Sequence, residues 1–96
     1  MTANINIHGQ LSEVVIDTGS GINLINYDYY REFLANKNIK IDENDKIPIK
    51  AANDQTIQTI GTAMININTN RQTALHRFEV VKGLSVNVIL GIHYLK

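Results

Sequence analysis

The amino-acid sequence predicts an all-β protein with one or two short helices. Most of its segments either alternate between apolar and polar residues or form short apolar runs, and both patterns are typical of strands. Alternation runs through residues 3–8 and 56–68, and apolar runs occupy residues 14–16 and 86–90. A helical spacing of apolar residues is clearest in residues 27–35.

The first two predicted strands form a hairpin. In residues 3–8 the odd positions are apolar and the even positions are polar, so one face of this strand is expected to contact solvent. Gly9 and Gln10 are expected to turn the chain, and residues 11–16 return as the second arm.

The end of the second arm carries the most informative motif of the chain, Val14-Val15-Ile16 followed by Asp17-Thr18-Gly19-Ser20. Three apolar residues without polar alternation predict a short strand buried on both faces. The glycine allows a tight turn, which places an ionisable carboxylate where burial is costly unless the group is used or satisfied. An Asp-Thr-Gly tripeptide also fits a simple turn capped by its aspartate, so these residues alone leave a catalytic and a structural interpretation open.

A helix is predicted for residues 27–35, after a short apolar stretch that contains Ile22, Leu24 and Ile25. Asn26 is suited to the N-cap position, and Asp28 in the first turn is favoured by the helix dipole. The apolar face of this helix is aromatic and is formed by Tyr27, Tyr30, Leu34 and the neighbouring Phe33. We interpret this cluster as core rather than as a ligand site.

The second half of the chain is predicted to contain further antiparallel strands. Residues 36–46 form a polar loop with Ile39 and Ile41 as apolar anchors, and residues 47–51 form an edge strand, because Pro48 cannot donate into a central ladder. This edge strand and residues 56–68 are expected to form a hairpin with its tip near Asn53 and Asp54. The segments that follow are a polar turn at residues 66–72, a strand at 78–81, a turn at Gly83, a strand at 86–90 and one or two helical turns in 91–95.

Composition limits the kinds of partner that we expect. The 96 residues are expected to form one domain, 1–96. Nine basic and nine acidic residues cancel, so neither nucleic acid nor a membrane is expected as a partner. The absence of cysteine, of a long apolar run and of a secretory leader is consistent with a cytoplasmic protein. The three histidines are isolated in the sequence, so we expect no metal and no other cofactor.

Three segments give the chain a resemblance to a known family. They are residues 14–20, with the Asp17 motif, residues 51–57 with Gly61 following, and residues 88–95, which begin Val-Ile-Leu-Gly. In their order and separation, the first and third resemble the retropepsins, the aspartic proteases of retroviruses and gypsy-type retrotransposons. A related domain occurs in some ubiquitin-shuttle proteins. The resemblance covers nearly the whole chain and implies a retropepsin-like acid protease half-barrel.

The resemblance also implies a role for individual residues. Asp17 corresponds to the catalytic aspartate, and Thr18, Gly19 and Ser20 complete the active-site loop. The second segment resembles the flap, a mobile hairpin that closes over substrate, and its substrate-binding residues are Ala51, Ala52, Asn53, Asp54 and Ile57. Because the chain has one Asp-Thr-Gly motif, the resemblance implies a homodimer in which each copy supplies one aspartate.

Three departures from the family pattern concern the dimer and the terminal helix. Retroviral enzymes pair the terminal helix with an acid shortly after the active-site loop, whereas this chain has Gly21 at that place. His93 stands where retrotransposon members often have an acid, and we interpret it as a surface residue. The sequence also has no evident terminal strands of the kind that interleave in retroviral dimers. Either the chain is an excised core or its dimer depends on other contacts, and a weak dimer is compatible with both.

Three functions are compatible with these features. The leading hypothesis is an aspartic endopeptidase that cleaves peptides and processes a retroelement polyprotein. The second is a cellular retropepsin-like domain in protein turnover. The third is a catalytically silent module that keeps the fold for dimerisation or peptide binding, and the intact Asp17-Thr18-Gly19 argues against it.

Overall fold

Strands dominate the computed structural model, which describes residues 1–17, 19, 21–45, 57–68 and 73–91. The described residues form six strands: β1 (Thr2–Ile7), β2 (Gln10–Ile16), β3 (Asn23–Asn26), β4 (Gln58–Asn68), β5 (Thr73–Lys82) and β6 (Val88–Leu90). They close into a barrel in the order β1-β2-β6-β3-β5-β4. The all-β prediction is therefore confirmed. The predicted strand at residues 47–51, the flap tip and the helical turns beyond Gly91 lie outside the described residues.

β1 and β2 form the predicted hairpin, but the turn lies one residue earlier than expected. Ile7 pairs with Gln10, so the two loop residues are His8 and Gly9 rather than Gly9 and Gln10. Both have positive φ, 51° and 89°, as a two-residue type I′ hairpin requires. The sequence pattern did not indicate His8 as a turn residue, because its polar side chain continues the alternation of the strand.

The run at the end of β2 is less buried than predicted. Val14 and Ile16 are buried, whereas Val15 is half-buried. On one side β2 pairs along its length with β1, and on the other it pairs in parallel with β6 through Val15 and Ile16. The last two residues of β2 are therefore held between two neighbouring strands.

Residues 27–37 are helical, and their start is as predicted. Asn26 is the N-cap, and its side-chain oxygen accepts a hydrogen bond from the Asp28 N–H at 3.1 Å. One α-helical turn, Tyr27–Tyr29, leads into a π-helical turn, Tyr30–Leu34, and then into a 3₁₀ turn, Ala35–Lys37.

The interpretation of the aromatic cluster as core is confirmed, although the buried face differs from the predicted one. The helix buries Tyr29, Tyr30 and Leu34, while Tyr27 and Phe33 are half-buried against the core. Tyr29 hydrogen-bonds to the buried Ser12 of β2, and the Tyr30 hydroxyl donates to the Ile39 carbonyl. Burial raises the pKa of Tyr30, and the nearby Tyr27 adds to this shift. These bonds explain how two tyrosines are accommodated in the interior.

β4 and β5 form a long antiparallel hairpin whose bounds differ from the prediction. β4 ends at Asn68, as the predicted strand 56–68 does, so Asn66 to Asn68 are not part of the turn predicted at 66–72. β5 begins at Thr73 rather than near residue 78. The polar residues at these strand ends concealed the pairing, because the prediction relied on apolar runs. The alternation predicted from residue 57 holds from Gly61 onward and is interrupted by a bulge, since the register skips Ile60.

The last strand is shorter than predicted, because residues 85–87 form bends. Asn26 holds this loop from β3: its backbone N–H donates to the Asn87 carbonyl at 2.8 Å, and its side-chain amide donates to the Leu84 carbonyl at 3.1 Å. Gly83 has a φ of 91°, as the predicted turn there requires.

The loop after the helix crosses β4 at close range. Ile39 is buried and Ile41 is half-buried against the core, which confirms both as anchors. Asp42 bonds to Thr62 through both backbone groups, at 2.8 and 3.1 Å. A Cβ at Gly61 would lie 2.5 Å from the Asp42 carbonyl oxygen and 2.6 Å from a methyl group of Ile41. Gly61 is therefore required by this crossing.

A buried acid on β5 has a counter-charge beside it. Glu79 is 1% exposed, and its Oε2 accepts a hydrogen bond from Arg77 Nε at 3.0 Å. Arg77 Nη2 donates to Asp45 Oδ1, also at 3.0 Å, and Thr62 Oγ1 donates to the Asp45 carbonyl at 2.6 Å. The hydrogen bonds to Glu79 and then to Asp45 raise the pKa of Arg77. This cluster ties the loop to the outer face of β4 and β5.

We predict that Gly61→Ala lowers the free energy of unfolding by about 1–3 kcal/mol, because the new methyl group overpacks the crossing. Gly21→Ala is the matched control, since a Cβ there meets nothing within 4 Å. Urea denaturation measures both variants. Equal urea midpoints for the two variants would show that the loop does not pass close to β4 at Gly61.

We predict that Arg77→Met destabilises the protein more than Arg77→Met combined with Glu79→Gln, because the single change leaves a buried carboxylate without its counter-charge. Asp45→Asn, which removes the exposed partner, should change the free energy of unfolding by less than about 1 kcal/mol. Denaturant midpoints at neutral pH test this order. A double variant no more stable than the single one would contradict it.

Candidate active site

Asp17 lies immediately after β2, at the point where the barrel brings β2 beside β6. Its backbone N–H donates to the Leu90 carbonyl at 2.9 Å, which continues the β2–β6 pairing by one bond. The residue itself is exposed. A buried scaffold therefore holds the backbone of an acid whose side chain is accessible.

The Asp17 carboxylate is bonded to its own loop. Oδ1 accepts a hydrogen bond from the Gly19 N–H at 3.0 Å. A Cβ at Gly19 would lie 3.4 Å from the same oxygen, so a side chain there would contact the carboxylate. Within the described residues no hydrogen bond from another segment reaches the carboxylate. An aspartate-capped turn and an active-site loop both contain such a bond, so it fits both interpretations of the motif.

Of the other predicted site residues, the structure describes Ile57. Thr18, Ser20, Ala51, Ala52, Asn53 and Asp54 lie outside the described residues. Ile57 is half-buried directly before β4. The structure therefore brings Asp17 and Gly19 together and leaves the flap prediction untested.

Asn23, the first residue of β3, is a polar residue of this region that the sequence analysis did not identify. It is 8% exposed, and its Oδ1 accepts a hydrogen bond from the Gly91 N–H at 2.8 Å. Its Nδ2 donates to the Arg77 carbonyl at 3.1 Å. The available signal was an asparagine inside the apolar stretch at residues 22–25, a pattern equally typical of a solvated strand position.

A cavity of about 290 Å³ opens beside the loop, between residues 21–23 and residues 75–77. A larger cavity of about 400 Å³ lies against β2 and is lined by Tyr29, Phe33 and residues 85–87. Asp17 lines neither of them.

Two further properties concern the described part of the chain only. No three acidic or histidine side chains in it come together in an arrangement able to hold a metal ion. None of its helices has the length and apolar character needed to cross a membrane.

Comparison with known proteins gives structural neighbours alone. No protein-family model matches the sequence, and no curated protein matches it significantly. Among solved structures, the chain is similar to the retroviral protease-like domain of Ddi1 from Leishmania major, with a TM-score of 0.72 and 15% identity over 98% of this chain and 73% of that one. It is also similar to the EIAV protease complexed with the inhibitor HBY-793, with a TM-score of 0.75 and 20% identity over 99% of this chain and 84% of that one. The barrel and these neighbours together show that the chain has a retropepsin-like fold.

Proposed function

We propose that the chain is an aspartic endopeptidase that is active as a homodimer and cleaves extended peptide segments. The observation that carries this proposal is the accessible Asp17 carboxylate at the end of β2, in the same fold as a protease solved with an inhibitor. The proposal includes the expectation that residues 1–96 form a single domain.

The chemistry explains why two chains are needed. Two carboxyl groups about 3 Å apart cannot both ionise readily, so they share one proton and their pKa values separate. The ionised group acts as general base on a water molecule, and the protonated group polarises the peptide carbonyl. The chain has a single Asp-Thr-Gly motif. A two-fold axis beside Asp17 supplies the second acid from the partner copy.

The remaining roles follow the family resemblance. Thr18 hydrogen-bonds across the two-fold axis, Gly19 admits the substrate backbone, and Ser20 completes the loop. A flap formed by residues near Ala51, Ala52, Asn53, Asp54 and Ile57 binds the peptide as an added strand and gates water access. The exposure of Asp17 supports this arrangement, because a substrate and a partner chain both need access to its carboxylate.

Two biological settings fit this chemistry. One is the processing of a retroelement polyprotein, and the other is protein turnover by a cellular domain. The two neighbours represent one viral enzyme and one retroviral protease-like domain from a protozoan, so they favour neither. Sequence beyond this chain distinguishes the settings, because a retroelement continues into reverse transcriptase. We propose a cytoplasmic location in both settings, and the composition alone supports it.

We predict that Asp17→Asn abolishes peptide cleavage and acts dominantly when mixed with the wild type. At concentrations where sedimentation shows dimers, an equal mixture after subunit exchange should retain about one quarter of the unmixed activity at the same total concentration, because random pairing leaves that share of wild-type dimers. Initial cleavage rates are measured across mixing ratios at constant total concentration. The rate should increase with the square of the wild-type fraction.

Asp28→Asn is the matched control, because Asp28 is an exposed acid away from the loop. It should keep the wild-type rate and show no effect on mixing. A linear dependence for Asp17→Asn would mean that each chain acts alone. Absence of cleavage by the wild type, with peptide binding retained, would favour the catalytically silent peptide-binding module.

A further inference from the structure

One peptide group in the barrel is bonded to the candidate active-site loop at both of its polar atoms. The carbonyl of Leu90 accepts from the Asp17 N–H at 2.9 Å, and the N–H of Gly91, which belongs to the same peptide group, donates to Asn23 Oδ1 at 2.8 Å. We propose that Asn23 is a positioning residue that orients this peptide group and, through it, the Asp17 backbone. The proposal rests on the proposed peptidase function.

The rigidity of the peptide group makes this connection direct. A trans peptide is planar, and its C=O and N–H point in nearly opposite directions. The hydrogen bond from the Gly91 N–H to the Asn23 side-chain oxygen therefore fixes the direction in which the Leu90 carbonyl points toward the Asp17 N–H. The loop from Asp17 to Asn23 is thus fastened at its two ends to the two sides of a single rigid unit.

The Asn23 side chain is itself held in one orientation. Its Nδ2 donates to the Arg77 carbonyl on β5 at 3.1 Å, and the residue is 8% exposed. A rotation of the amide by half a turn would place the NH₂ group against the Gly91 N–H and the oxygen against the Arg77 carbonyl, so both bonds would be lost. Its two partners are the Arg77 carbonyl of β5 and the N–H of Gly91, the residue directly after β6, so Asn23 transmits the geometry of β5 to the loop.

The residue type is specific to this task. Leucine has nearly the same shape and neither polar group, whereas an ionised aspartate accepts but does not donate. A protonated aspartate offers both functions. The charged side chain of Arg77 is turned toward Glu79 and Asp45, and Arg77, Glu79 and His76 line the same cavity as Asn23.

The expected consequence concerns the distance between the two Asp17 carboxyl groups of the dimer. Displacement of a reacting group by about 1 Å can cost a hundredfold in rate, and the two-fold axis doubles any error in the backbone of Asp17. A larger separation also weakens the coupling that keeps the two carboxyl pKa values apart. Loss of Asn23 should therefore change the rate and the pH profile more than substrate affinity.

The first experiment tests the connection without relying on activity. Native-state amide exchange is measured by NMR for Asn23→Leu and for Asn26→Leu, a matched change on the same strand that removes a helix cap and a side-chain bond to the Leu84 carbonyl. The measured quantity is the ratio of the exchange rate of the Asp17 amide to the rates of the Ile25 and Val80 amides of the core. In Asn23→Leu this ratio should be on the order of tenfold higher than in the wild type. Asn26→Leu should leave that ratio unchanged. An unchanged Asp17 amide in folded Asn23→Leu would overturn the proposal.

The second experiment measures peptide cleavage by the full chain. Asn23→Leu should lower kcat by about 10- to 100-fold with KM within about twofold, and should narrow the bell-shaped pH profile. Asn26→Leu should show neither effect. Asn23→Asp should keep near-wild-type kcat at the acid end of the profile, where its carboxyl is protonated, and lose it as the pH rises.

The outcomes separate this proposal from the proposed function. If the wild type cleaves peptides and the Asn23 variants keep its kcat and pH profile, Asn23 has no positioning role and the peptidase proposal is unaffected. If the wild type cleaves no peptide at any pH, the peptidase proposal fails, and the amide exchange of Asp17 in Asn23→Leu still decides whether Asn23 orients the Asp17 backbone. Equal losses in the Asn23 and Asn26 variants would reduce Asn23 to a stability residue.

Discussion

The parallel contact between β2 and β6 is the constraint on which the rest of this structure depends. It joins two residue pairs, Val15 with Ile89 and Ile16 with Leu90, and Asp17 adds one further backbone bond to it. Without this contact the β1–β2 hairpin would have no neighbour on its second side, and the barrel would not close. The contact also decides where the acid stands, because the chain leaves the sheet at Asp17 directly after the last paired residue. The closure of the barrel and the surface position of Asp17 are therefore both consequences of the short pairing between β2 and β6.

Buried polar groups give this small barrel its register. Asn23 and Glu79 lie on adjacent strands, and each is almost fully buried with its partners in place. Within the described residues the Asn23 side chain bonds to backbone groups alone, so a slip of β3 against β5 or β6 would leave its amide unsatisfied in the interior, at a cost of about 1–3 kcal/mol. Glu79 instead requires the charged side chain of Arg77, which also holds the loop that crosses Gly61. Apolar packing alone tolerates such slips better than these directional bonds do.

Features set by neighbouring residues were predictable from the sequence, whereas features set by distant ones were not. The β1–β2 hairpin, the Asn26 cap and the anchors Ile39 and Ile41 follow from local periodicity and capping chemistry. The position of Asp17 directly after a strand followed from an apolar run that ends in a turn, whereas its exposure was not predicted. The role of Asn23 depends on contacts with residues 54 and 68 positions away, which no local pattern encodes. The early start of β5 was missed because its pairing with β4 overrides a weak local pattern. No local pattern indicated the π-helical turn.

The central claim is that two copies of Asp17 share one proton at a site built by two chains. Calorimetric titration of the chain with a statine-type inhibitor tests it most directly, because the number of chains per bound inhibitor shows whether two chains build the site. The proposed site predicts one inhibitor bound per two chains, together with inhibitor-dependent association in sedimentation and loss of binding in Asp17→Asn. Saturation at one inhibitor per chain, with no change in association, would contradict a shared site.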